Sequence, residues 1–331
     1  MKRVLLALII LPVFGMAQTE LQFTQHFDNP YLLNPAASGM MSIIDIDLGY
    51  RKQWVGIENS PSTIYMTGHS VLRFKKDNDP ALGGMNPDGD FMFKSPEIST
   101  GRIKNVVGGK IINDQFGAFA KTSVFGSYSF HVPFTKTINL SFGASIGWSN
   151  VRLDRDKVTQ FDEGDNTYSA FLANGASQHF FDMNAGVMLY HKKFYFGYSV
   201  TQLLSNKIDF GNIESKSNLL MTHYIMGGYN WDINEKLRLS PNVILKMAKG
   251  VPMSFELGAK LTVQKTYWAG ISYRYSDAVA ILAGLNFGKY VNLGYSYDIP
   301  VGGIRRQGGS HEIHIGFMIG RNPKVEDRIK E

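Results

Sequence analysis

Residues 252–264 read PMSFELGAKLTVQ, with apolar and polar positions alternating without a break. Met253, Phe255, Leu257, Ala259, Leu261 and Val263 fall on one side; Ser254, Glu256, Gly258, Lys260, Thr262 and Gln264 fall on the other. A period of two belongs to a β-strand, whereas a helix would mix Glu256 and Lys260 with apolar neighbours on one stripe. The same alternation sets Ile44, Ile46, Leu48 and Tyr50 against Asp45, Asp47, Gly49 and Arg51. It recurs from Ile138 to Ser149, from Val291 to Asp298 and from Glu312 to Ile319. The pattern predicts about fourteen strands, near 42–54, 61–73, 105–114, 117–132, 137–151, 180–191, 193–202, 222–232, 236–248, 252–264, 266–275, 278–288, 289–298 and 310–319.

A soluble antiparallel sandwich would alternate too, with one face on the core and one in water. Three features point to a membrane instead. The strands are mostly about 10 residues or longer, whereas soluble strands run about 5–6 and barrel strands in a bilayer need about 9–11. Their polar faces carry Ser, Gly, Asn and Thr, as in a crowded lumen, rather than the Lys and Glu of a water-facing sheet. Aromatic residues gather near strand ends, at Tyr50, Trp54, Tyr128, Trp148, Tyr190, Trp231, Trp268, Tyr273 and Tyr297, where interfacial girdles belong. The expected fold is therefore all-β, a transmembrane antiparallel up-and-down β-barrel. Connection lengths agree with this. With both mature termini in the periplasm, the short links Pro133–Lys136, Lys192, Ile233–Glu235, Lys265 and Gly288-Lys289 all fall on the periplasmic side. The long links 152–179, 203–221 and 299–309 all fall outside the cell. Only the Gly/Pro/Asp-rich link 74–104 breaks the rule, and a strand pair hidden in it would raise the count to sixteen.

Composition narrows the chemistry. Of 331 residues 34 are glycine; only 19% are charged and 13% are aromatic, and that low charge with high aromatic content is the reverse of a disordered chain. The absence of cysteine excludes a disulfide scaffold, a thiolate metal site, a cysteine nucleophile and a lipoprotein anchor. A net charge of +6 spread along the chain gives no basic patch for nucleic acid. At the start, Lys2 and Arg3 precede the apolar run Val4–Phe14 and then Gly15-Met16-Ala17. This reads as a secretory signal peptide over 1–17, cleaved after Ala17 and too short to span a bilayer. The remaining division is an N-terminal segment over 18–41, the barrel over 42–319 and a polar periplasmic tail over 320–331.

Sites for catalysis, cofactors and metals find little support. Gly143-Ala144-Ser145-Ile146-Gly147 fits the G-x-S-x-G pattern, but that motif needs a sharp strand-to-helix turn and these residues sit inside an alternating strand. The acidic residues Asp154, Asp156, Asp162, Glu163 and Asp165 lack EF-hand spacing and read as a solvated loop. Asp77, Asp79, Asp88 and Asp90 read the same way. No histidine pair at i,i+4 encloses a glutamate, so a zinc hydrolase is unsupported. The inward charges say more. Arg51, Arg274, Asp298 and Glu312 fall at one height near the extracellular end, and closing the barrel sets the last strand beside the first, Glu312 facing Arg51. Buried charges are best satisfied in pairs, so these four are expected to form a lumen network that locks the wall or a plug. A fourteen-strand barrel is too wide for its own side chains to fill. Residues 18–41 and 74–104, both starting on the periplasmic side, are available as filling, and Leu32-Leu33-Asn34-Pro35-Ala36 combines turn chemistry with apolar anchors, which predicts an ordered segment at or in the periplasmic mouth.

Five stretches then carry a resemblance. They are Gln22–Ala36, containing Asn29-Pro30 and Asn34-Pro35-Ala36; Tyr50-Arg51-Lys52-Gln53-Trp54-Val55-Gly56; Ser272-Tyr273-Arg274; Gly294-Tyr295-Ser296-Tyr297-Asp298; and Gly309-Ser310-His311-Glu312-Ile313. In this order, across essentially the whole mature chain, they resemble the PorP/SprF family of outer-membrane proteins of the Bacteroidetes type IX secretion system; the departure is the longer 74–104 link. The resemblance implies a barrel without enzymatic activity, embedded in outer-membrane lipid, that serves export or surface display of cargo. Implied partners are the C-terminal domains of secreted cargo such as gliding adhesins, the periplasmic ring lipoprotein of the machinery, and a translocon or shuttle barrel. It implies partner-binding or plugging for Asn29, Pro30, Asn34, Pro35 and Ala36, and family motif positions at Tyr50, Gln53, Trp54, Tyr295, Ser296, Tyr297, Ser310 and His311. The alternative is an outer-membrane pore or a carrier for a small ligand such as haem.

Overall fold

The computed structural model describes residues 21–40, 44–72, 103–135, 137–154, 157, 177–207, 218–288, 290–302 and 308–319. Within these, alternating segments become strands β1 (Ile44–Lys52), β2 (Ser62–Leu72), β3 (Lys104–Phe116), β4 (Phe119–Pro133), β5 (Asn139–Leu153), β6 (Ser177–Tyr190), β7 (Phe194–Thr201), β8 (Thr222–Tyr229), β9 (Trp231–Asn234), β10 (Leu237–Ala248), β11 (Val251–Val263), β12 (Tyr267–Arg274), β13 (Ala278–Phe287), β14 (Val291–Pro300) and β15 (Ser310–Ile319). Every ladder is antiparallel, and β1 pairs with β15 as well as with β2, which closes the sheet.

The wall is a 14-strand barrel with one extra strand, β9. The sequence pattern runs one strand through 222–232, but the ladder on β10 changes partner, from Gly228 opposite Asn242 to Trp231 opposite Leu239. Pro241 sits at that break and has no N–H to donate, so continuous pairing fails there. β9 then continues with β10 alone. The sixteen-strand alternative is excluded by register: β2 pairs directly with β3 from Ser62–Gln115 to Leu72–Asn105, which leaves no place in the wall for another pair between them. The residues of the 74–104 link up to 102, the acidic loop from 158 to 176, the 1–17 leader with its cleavage position and the 320–331 tail lie outside the described residues.

Two mouths result. At the starting mouth β1 begins and β15 ends, with Ile44 opposite Ile319; at the far mouth Lys52 lies opposite His311. Tight hairpins occur at both. At the far mouth Gly250 turns β10 into β11 with φ +77°, a backbone conformation that disfavours side chains. The outer surface is apolar: Ile46, Leu48, Ile64, Met66, Leu257, Ile271, Ile281 and Ile313 are all exposed. Facing lipid, such a surface is stable without a covering layer. Two residues expected in the girdle point the other way. Tyr190 and Trp268 are buried on the lumen side. Each shares strand parity with inward polar residues, Trp268 with Ser272 and Arg274, and parity overrides closeness to a strand end.

Inside the barrel lies the N-terminal segment. Three 3-10 turns, Thr24–Phe27, Pro30–Leu32 and Pro35–Ala37, carry it through the lumen. Gln22 sits at the far mouth near Arg274, and Gly39 at the starting mouth near Lys104. The segment thus reaches well past the starting mouth, where the sequence reading put it. The described residues begin near the far mouth, around Gln22, and end at the starting mouth, at Ile319.

Candidate functional site

The lumen is the site, and its chemistry follows from which parity each strand turns inward. On β1 that parity brings Asp45, Asp47, Gly49 and Arg51 inside. Arg51 and Glu312 are 1% and 0% exposed and face each other across the closing seam, Nη1 to Oε2 3.2 Å. Nη2 of Arg51 meets Asp298 at 2.8 Å. Arg274 approaches the same Asp298 at 3.4 Å, Glu256 at 2.9 Å through Nε, and Asp277 at 2.9 Å. Two guanidinium groups are thus enclosed by four carboxylates. Stripping water from any one without its partners would cost several kcal/mol, about 3–5 when a buried pair is broken.

Thr24 sits at the centre of this cluster. Its backbone N–H donates to Glu312 Oε2 at 2.7 Å, and the next N–H, of Gln25, to Oε1 at 3.3 Å. Its hydroxyl lies 3.0 Å from both oxygens of Asp298 and accepts from Arg51 at 2.9 Å and Arg274 at 3.3 Å. Tyr65 donates its phenol to Glu312 at 3.1 Å and meets Phe23 edge-on, ring centroids 5.2 Å apart. Charges from β1, β11, β12, β14 and β15 are therefore satisfied through the segment as well as through each other.

Further along, the segment's own polar groups find partners on the wall. Asp28 pairs with Lys260, whose ammonium lies 4.2 Å from the Trp268 ring centroid. Asn29 donates to Thr67 at 2.7 Å. Pro30 and Pro35 open their turns, where the missing N–H is not needed. Asn34 accepts from Ala36 N–H at 2.9 Å and donates to the carbonyls of Val187 and Tyr198 at 3.2 and 3.3 Å. Ser199 and Ser141 donate to the carbonyls of Leu33 and Ala36 at 2.8 and 2.7 Å. Backbone without regular structure is tolerated here because the wall supplies the missing partners.

Small inward residues make room for it. A Cβ on Gly143 would come within 2.4 Å of the Ala36 nitrogen, and one on Gly186 within 2.0 Å of the Asn34 side-chain oxygen. Gly143 opens the G-x-S-x-G stretch, which lies wholly inside β5 and seats the segment.

The family motif positions collect at the seam of β14, β15 and β1. Tyr50 points outward, and Gln53 N–H bonds the Pro61 carbonyl. Trp54 N–H donates to Ser310 Oγ at 3.2 Å, while Val55 exchanges backbone bonds with Gly308 and Gly309. His311 accepts or donates at Tyr295 OH, 2.7 Å, and leans on Tyr297, whose OH reaches the Gly308 carbonyl at 3.1 Å. Ser296 is buried inside. Sequence reasoning missed Thr24, Tyr65, Asp28, Lys260, and Glu256 as a member of the charge cluster. Strand parity already put Glu256 and Lys260 inside, whereas Thr24 lies in a segment without a period.

Comparisons place this architecture among known proteins. A family described as type IX secretion system membrane protein PorP/SprF matches residues 15–317. No curated protein sequence matches. Among solved structures, the monoaromatic hydrocarbon channel CymD is 12% identical over 86% of this chain and 90% of its own, with TM-score 0.45. The Pseudomonas putida toluene transporter TodX is 10% identical over 87% and 91%, with TM-score 0.43.

Proposed function

The chain belongs to the PorP/SprF family of type IX secretion system membrane proteins, and from that premise we propose a non-enzymatic outer-membrane barrel that supports secretion and surface attachment of cargo such as gliding adhesins. In this role it binds cargo C-terminal domains, the periplasmic ring machinery, or both. The observation that carries the reading is the lumen itself. Many of its charged and polar groups bond the chain's own residues 21–40, with Thr24, Asn29, Asn34 and Ala36 all buried. A barrel filled this way offers partners its mouths and rims rather than a free channel, which favours an interaction protein over a pore or haem carrier. The Arg51, Arg274, Asp298 and Glu312 network acts as the latch of this plug. The starting mouth, where β1 begins and β15 ends, faces the periplasm, and the far mouth faces outward.

Deleting the gene and following one surface adhesin tests the role. Loss of that adhesin from the surface, with its synthesis intact, is expected. Unchanged display of all type IX cargo and unchanged gliding would overturn the reading.

A further inference from the structure

The clamp around Thr24 has the form of a recognition site. Glu312 takes two successive backbone N–H groups, a feature of polypeptide and of neither sugars nor haem. Asp298, Arg51 and Arg274 surround one small hydroxyl, and Tyr65 offers an edge to the preceding aromatic ring. A small cavity of about 10 Å³ at the far mouth touches the site, lined by Gln22, Trp54, Asp277 and Ser310 together with Arg51 and Asp298. Its present occupant fits imperfectly. The Gln25 side chain is fully buried, yet neither its amide nitrogen nor its oxygen has a hydrogen-bond partner. A buried amide left unpaired weakens the state that buries it.

We infer that this clamp is a peptide-binding site held in cis by Phe23-Thr24-Gln25, and that an exported polypeptide segment with an aromatic residue, a threonine or serine, and then an apolar residue displaces it in trans. The third position prefers an apolar side chain because it would fill the Gln25 pocket without stranding an amide. The inference rests on the reading of the barrel as a secretion component, and it names the chemistry by which such a barrel would hold exported chain. Displacement frees the tip at the far mouth while Asn34 and Ala36 keep the rest of the plug seated.

The test uses the full chain purified in detergent and two fluorescein-labelled hexapeptides, QFTLHF and QFVLHF. The variant Thr24→Val loosens the cis occupant and leaves the clamp intact. QFTLHF is expected to bind it saturably, at least about tenfold more tightly than wild type. QFVLHF should bind that variant weaker by a similar factor, and Gln25→Leu should reduce QFTLHF binding below wild type. Absence of saturable binding to Thr24→Val, or equal binding of both peptides, overturns the inference. Should Thr24→Val not fold, Gln22→Cys in the otherwise cysteine-free chain gives a second readout. QFTLHF should speed its maleimide labelling and QFVLHF should not; equal rates overturn the inference. A barrel that supports cargo display but ignores both peptides removes the clamp proposal alone, and loss of the display role leaves the binding result standing.

Discussion

Arg51 illustrates what one residue contributes here. Its guanidinium meets Asp298, Glu312 and the Thr24 hydroxyl while almost completely out of water. Arg51→Gln keeps some hydrogen bonding but leaves Glu312 without its cation and Asp298 with Arg274 alone. A loss of about 3–5 kcal/mol is expected, read as a lower urea midpoint for the folded, heat-modifiable band in liposomes. At Gly143 the effect is steric. Val there has no room beside Ala36, so Gly143→Val is expected to expel the middle of the segment and raise protease cleavage within 21–40 while the barrel stays folded. These residues differ in how far the sequence revealed them. Arg51 and Glu312 were visible because a closed barrel must pair first strand with last, and parity fixed both inside. Gly143 was visible only as a small lumen residue, since its partner Ala36 lies 107 positions away in a stretch with no period.

At the scale of elements, the wall was legible and the filling was not. Each alternating run became a strand with ends shifted by a few residues, since burial of one face fixes register and one slip would turn every apolar residue inward. The exceptions have local causes. Pro241 breaks the ladder that splits β8 from β9. Trp268 and Tyr190 looked like girdle residues by position, but their strand parity turns them inside. The N-terminal segment is held by single contacts to many strands, so no periodic signal marks its path. That path can be fixed chemically. Ser38 and Ser129 have hydroxyls 2.7 Å apart, and the chain has no native cysteine to confuse the result. The double variant Ser38→Cys with Ser129→Cys is expected to form a disulfide on mild oxidation, seen as a mobility shift lost on reduction. A failure to cross-link would remove the segment from the starting mouth.

For the whole molecule, low charge, high glycine and high aromatic content resolve into one arrangement. Apolar residues cover the outside, small residues make the inner wall thin, and a strip of the same chain fills the space that side chains cannot reach. Opposed charges from five strands close on that strip near the far mouth, so the seam and the plug stabilise each other. The sequence placed the charges and the strands but not the direction of the strip, which runs from the far mouth back to where β1 begins. Planar-bilayer recording of the purified full chain tests the filled lumen most directly. Wild type is expected to show no steady conductance and Gly143→Val to show stable openings; a steady open pore in wild type would contradict a lumen sealed by its own N-terminal segment.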